Sequence, residues 1–185
     1  MTRAGFVLVG GQSSRMGADK ALLPYRGGYL GWHIASMVAA AAQSATLIGD
    51  PAKYACIGYP VVADRIPGLG PAGGIHTALT HTTADWNLVV ACDMPALTPG
   101  FLAELLDEAE RSGADATVSA GPAGRPEPLC AVYHRRCTPA IRAALDAGVR
   151  KVTGTLAGLK VATFGVAEIA LIQNCNTPEE WNAAG

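Results

Sequence analysis

Short apolar runs alternate with amphipathic stretches along the whole chain. The runs Phe6–Val9, Ala45–Ile48, Pro60–Ala63, Trp86–Ala91, Ala116–Ser119, Leu129–Tyr133 and Lys160–Phe164 read as strands. Most are unbroken rather than alternating, the pattern of strands covered on both faces. Between them, Leu30, Ile34, Met37, Val38 and Ala41 share one helical face, as do Leu102, Leu105, Leu106 and Ala109, and likewise Ile141, Ala144 and Leu145. Thr98-Pro99 predicts a capped helix start with proline at the first helical position. Thr177-Pro178-Glu179-Glu180 predicts another, with Glu180 placed to complete a capping box. Strands alternating with helices predict an α/β fold, a Rossmann-like three-layer α/β/α arrangement around a mostly parallel sheet. Ligands of such sheets sit beyond the carboxyl ends of the strands. The Gly- and Pro-rich stretch from Ser119 to Pro128 is expected to be a loop, and residues 1–185 to form one domain.

Composition narrows the function classes. Half of the 185 residues are apolar and only 16% are charged, enough to bury a core that offsets the entropy of ordering. The net charge of −1 carries no basic field, so neither nucleic acid nor an anionic membrane is an expected partner. The longest apolar run, Met37 to Ala42, is too short to span a bilayer, and Met1 to Gly5 lacks the pattern of a signal peptide. The five cysteines show no CxxC spacing and the histidines no metal-ligand spacing, which points to a reducing, cytoplasmic setting.

The richest chemistry follows the first strand, in Leu8-Val9-Gly10-Gly11-Gln12-Ser13-Ser14-Arg15-Met16-Gly17-Ala18-Asp19-Lys20. Paired glycines let a backbone approach a ligand closely and turn N–H groups toward anionic oxygens. Arg15 adds a planar fork and Lys20 a compact charge, both suited to phosphate. Neither GxxxxGK[ST] nor GxGxxG is present, so an ordinary P-loop or dinucleotide site is not indicated. On composition alone the segment also fits a plain turn.

Two carboxylates follow. Asp64 ends an apolar run and precedes Pro67-Gly68-Leu69-Gly70-Pro71-Ala72-Gly73-Gly74-Ile75, which must turn sharply before a helix starts near Ile75. It reads either as a turn cap or as an acceptor for the N1–H and amine donors of guanine. Asp93, in Cys92-Asp93-Met94-Pro95, ends another apolar strand. It reads as a cap or as a Mg²⁺ ligand beside a triphosphate. Near the C-terminus Asn174 and Asn176 alternate along an extended segment, so their amides are candidate ligands on one side. Arg125 is a looser candidate for a phosphate.

These residues carry a resemblance. LVGGQSSRMGADKALL resembles the LxGGxSxRMGxDKxLL signature of the MobA-type nucleotidyltransferases, the molybdenum cofactor guanylyltransferases. Val9 stands where the family more often has Ala. GPAGGI resembles the family's GPLAGI element, CDMP its metal-binding motif, PEPLCAVY its PLxAxY stretch and NCNTPEE its NINTPED element, with Cys175 in place of Ile. The resemblance runs from Gly5 to Trp181. It implies a nucleotidyltransferase fold and transfer of GMP from GTP to molybdopterin. It places Leu8, Gly10 and Gly11 against base and ribose, and Arg15 and Lys20 on the triphosphate. Asp64 would touch the nucleotide and Asp93 both nucleotide and Mg²⁺. Asn174, Asn176 and Arg125 would meet the acceptor, whose pterin ring and phosphate suit amides that both donate and accept. Other cofactor-assembly proteins are expected partners. The alternatives are a related molybdopterin cytidylyltransferase using CTP, a sugar-phosphate nucleotidyltransferase, and a nucleotide-binding module without turnover.

Overall fold

The computed structural model describes residues 1–10, 19–121 and 124–175. Each of the seven apolar runs forms a strand of one sheet: β1 (Arg3–Leu8), β4 (Thr46–Ile48), β5 (Val61–Val62), β6 (Trp86–Ala91), β7 (Ala116–Ala120), β8 (Pro126–His134) and β9 (Val161–Gly165). Two further short strands, β2 (Pro24–Tyr25) and β3 (Gly28–Tyr29), pair as a small antiparallel ribbon. The sheet order is β5-β4-β1-β6-β8-β7-β9. All neighbours are parallel except β8, which runs against both β6 and β7. The sheet is mostly parallel, as expected. The carboxyl ends of six strands and the amino end of β8 therefore share one edge.

Helices cover both faces. On one, α1 (Leu30–Ala42) and α4 (Pro99–Ser112) bury Leu30, Ile34, Val38, Leu102, Leu105 and Leu106 against Val7, Leu47, Leu88, Val90 and Val132. On the other, α3 (Gly70–His81), α5 (Thr138–Asp146) and the short α6 (Val152–Thr155) bury Ile75, Leu79, Ile141 and Leu145 against Phe6, Ile48, Val89, Val118 and Tyr133. The remaining helix, α2 (Pro51–Tyr54), is a single turn after β4. Strands with apolar residues facing both layers explain why the runs lacked alternation. Thr98 caps α4 as expected, its hydroxyl accepting from the Phe101 N–H at 3.3 Å. The second predicted cap, Thr177 to Glu180, lies outside the described residues.

Two boundaries differ from expectation. The stretch Ser119 to Pro128 is not loop throughout: Ser119 pairs with Glu127 and Ala120 with Pro126, so β7 and β8 run into it from either end. Gly and Pro there tighten a hairpin, and the shift of register after Val118 takes up the extra residues of β8. Helix α3 begins at Gly70 rather than near Ile75, because the left-handed residues Gly68 and Gly70 complete the turn and Pro71 suits the first helical turn. Gly74 lies where the helix crosses β1: a Cβ there would come within 3.0 Å of Leu8 Cδ2. A branched side chain at this point would push α3 off the sheet. Gly74→Val is expected to cost about 1–3 kcal/mol, lowering Tm by several degrees in a thermal melt. An unchanged Tm would contradict this packing.

Candidate functional site

Three strand exits converge on the shared edge. The β1 exit leads through residues 11–18, outside the described residues, to Asp19 and a short 3₁₀ turn, Lys20–Leu22. The β6 exit carries Asp93. These loops meet directly: Lys20 Nζ lies 3.0 Å from Asp93 Oδ2, with side chains only 14% and 20% exposed. The pairing links residues 73 positions apart in sequence. The Asp93 carbonyl accepts from the Cys175 N–H at 2.8 Å, which brings the C-terminal segment and Asn174 to the same place. The Cys92 N–H donates to the Leu8 carbonyl at 3.2 Å, tying the two exits at their base.

Several polar atoms at this edge are buried with no hydrogen-bond partner among the described residues: Asp93 Oδ1, Asn174 Oδ1 and, further along, Asp64 Oδ1. A buried acceptor left unpaired costs free energy, and such orphans are retained where a ligand supplies the missing donor or charge. Asp64 follows β5, on the far side of β4 from β1. Its loop is held by the Arg65 N–H, which donates to Thr77 Oγ1 of α3 at 3.1 Å. Burial pushes the Asp64 carboxyl above the usual carboxylate range.

Glu127 was not singled out by the sequence and now joins the site. It stands near the amino end of β8 and reaches the functional edge only because that strand runs backwards. Its Oε1 accepts from the Leu129 N–H at 3.2 Å. Burial pushes its carboxyl up, helped by the nearby Asp93 charge, while the Leu129 amide, Arg125 and the Asn174 side chain pull against this. Arg125 itself is exposed in the hairpin turn. Asp19 is the other omission. Its Oδ1 accepts from the Ala21 N–H at 3.0 Å, and its Oδ2 accepts from Tyr54 Oη at 2.7 Å and pairs with Lys53. The only sequence signal for either was a carboxylate inside a motif already noted.

Of the expected site residues, Lys20, Asp93 and Asn174 come together. Asp64 lies on the same edge at a distance of two strands from β1. The Leu8 side chain is buried beneath Gly74 in the core, and Gly10 is exposed with open space around its Cα. Val9 is buried, so its departure from the family signature falls in the core. Gly11, Arg15 and Asn176 lie outside the described residues.

A cation and a carboxylate facing each other across strand exits, with Gly-rich segments on either side, make a site of the kind used by enzymes that transfer nucleotides. The chain belongs to the MobA-like NTP transferase family, whose domain model matches residues 5–161. It is 34% identical to a probable molybdenum cofactor guanylyltransferase of Deinococcus radiodurans, over 94% of this chain and 89% of that one. It is 30% identical to another so named from Flavobacterium johnsoniae, over 98% and 95%. The crystal structure of molybdopterin-guanine dinucleotide biosynthesis protein A from Archaeoglobus fulgidus superposes with a TM-score of 0.84 at 27% identity, covering 98% of this chain and 96% of that one.

The burial of Asp64 has a consequence for stability. A carboxyl whose folded pKa lies above its unfolded value binds its proton more tightly in the native state. That advantage is complete below the unfolded pKa and is lost as pH rises through the folded pKa. At pH 7 the charged Asp64 therefore costs stability. Asp64→Asn is expected to gain on the order of 1 kcal/mol at pH 7, about 2–4 °C in Tm, with the gain shrinking as pH falls toward 4. A loss of Tm at pH 7 would contradict this.

Proposed function

We propose that the protein is a molybdenum cofactor guanylyltransferase, transferring GMP from GTP to molybdopterin and releasing pyrophosphate. The observation that carries this reading is the Lys20–Asp93 pair at the shared edge, with Asp93 Oδ1 buried and unpartnered beside it. The names of the relatives support guanine and molybdopterin as substrates. So does Asp64, whose unpaired carboxylate oxygen suits the N1–H and amine donors of guanine. Cytosine offers a carboxylate a single donor, its exocyclic amine, flanked by the acceptors N3 and O2, where guanine offers two adjacent donors.

Mg²⁺ fits the residues present. It binds through one or two carboxylates and completes its shell with phosphate oxygens and water. Asp93 offers one free oxygen, and among the described residues no group of three His, Cys, Asp or Glu encloses an ion. When held by Asp93, the ion would neutralise charge on the α-phosphate and the leaving pyrophosphate.

The remaining work falls to the chain. On nucleotide binding Lys20 exchanges its carboxylate partner for β- and γ-phosphate oxygens, with Arg15 as the second cation of that loop by family resemblance. Asp64 selects the base. Asn174, with Glu127 beside it, faces the acceptor, and Asn176 and Arg125 are further acceptor ligands on the same resemblance. A terminal phosphate oxygen of the acceptor attacks the α-phosphorus in line. One P–O bond forms, the bond to the β-phosphate bridge breaks, and pyrophosphate leaves with its electron pair. No covalent enzyme intermediate is required, so rate comes from positioning and charge neutralisation. Among the described residues no helix is long and apolar enough to cross a membrane. We take the enzyme to act in the cytoplasm, in contact with other cofactor-assembly proteins.

Calorimetric titration with GTP, CTP, ATP and UTP in the presence of Mg²⁺ tests this reading. GTP is expected to bind at least tenfold more tightly than the other three, and Asp64→Ala is expected to remove most of that preference. Preferred binding of CTP would transfer the assignment to the cytidylyl branch, and binding of none would overturn it.

A further inference from the structure

Lys20 carries a flexible four-carbon stem, and fixing such a side chain costs on the order of 1.5–2 kcal/mol of rotamer entropy. Its usefulness at a triphosphate therefore depends on how firmly its backbone is held. The residue before it is the most heavily engaged carboxylate at this edge. Asp19 Oδ1 caps the 3₁₀ turn through the Ala21 N–H, and Oδ2 meets both Tyr54 Oη and the Lys53 ammonium. Both partners of Oδ2 come from α2, which follows β4, so the carboxylate joins the exit of one strand to the exit of its neighbour.

The far end of this connection is rigid. The Tyr54 ring is 3% exposed and lies over Gly49, where a Cβ would come within 2.8 Å of the ring and 2.9 Å of Val9 Cγ2. Asp50 caps α2 from below, accepting from the Ala52 N–H at 2.9 Å. Burial pushes the Tyr54 phenol well above its ordinary pKa, and the hydrogen bond to Asp19 adds to this, so it remains a donor at every physiological pH. Lys53 offsets the Asp19 charge, which would otherwise repel a triphosphate nearby.

We propose that Asp19 is a positioning residue which, clamped by Tyr54 and Lys53, fixes the turn that carries Lys20 and so sets where the Lys20 ammonium meets the phosphates of the nucleotide. This rests on the reading of Lys20 as a triphosphate ligand. A double-mutant cycle separates the two ideas. GTP affinity with Mg²⁺ is measured for the wild type, Tyr54→Phe, Lys20→Ala and the double variant, with Asp19→Asn as a second probe of the clamp. Tyr54→Phe keeps the buried ring and removes only the donor. It is expected to weaken GTP binding by about 5- to 10-fold, to leave Tm within a few degrees of the wild type, and to have no further effect in the Lys20→Ala background. Asp19→Asn is expected to follow the same pattern. Wild-type affinity in both clamp variants, or an equal loss with and without Lys20, would overturn the proposal while leaving the role of Lys20 intact. If Lys20→Ala alone leaves GTP affinity unchanged, the triphosphate assignment of Lys20 falls and the proposal falls with it.

Discussion

Lys20 and Asp93 meet at 3.0 Å where the exits of β1 and β6 converge, and the organisation of the site follows from that contact. Both side chains are largely withdrawn from water. A charge in such a place is strongly destabilising unless compensated, and removing one partner of a buried pair typically costs about 3–5 kcal/mol. The pair therefore compensates two charges that the fold alone would not tolerate there.

The sheet supplies the frame. β1 lies inside the sheet with parallel neighbours on both sides, so its carboxyl end opens between theirs. The single reversed strand, β8, enriches that edge: its amino end delivers Glu127 beside Asp93 and Asn174, where the carboxyl end of a parallel strand would have delivered an exit loop instead. Asp93 follows β6, with β1, β4 and β5 to one hand and β8, β7 and β9 to the other. α3 approaches β1 closely at Gly74, and the Tyr54 ring approaches the backbone closely at Gly49.

Much of this was legible in the chain itself. The seven sheet strands showed as apolar runs, most of them because both faces are covered, and the buried faces of α1, α4 and α5 showed in the 3.6-residue period. Asp64 and Asp93 stood out as carboxylates at the ends of apolar runs, and Lys20 as a cation in the Gly-rich segment after the first run. Strand order and direction did not show, since pairing between β6 and β8 is a property of distant segments and leaves no mark in either. Glu127 was hidden for that reason: its place depends on β8 running backwards. The clamp on Asp19 was hidden by distance, because Tyr54 lies 35 residues away and its contact rests on a buried ring over a glycine. The strand pairing at both ends of the Ser119–Pro128 stretch and the early start of α3 did not show, because the same Gly and Pro residues that break an element also stand at strand ends or open a helix.

The central claim is that this edge joins a guanine nucleotide to a phosphorylated pterin. The most direct measurement follows label from GTP carrying ³²P at the α-position, incubated with Mg²⁺, molybdopterin and the purified protein. The account predicts that label enters a molybdopterin-dependent product in one-to-one ratio with released pyrophosphate, and that the transfer is lost in Asp93→Ala protein with an intact fold by circular dichroism. Label that stays in GTP, or that appears as free GMP irrespective of the acceptor, would contradict it.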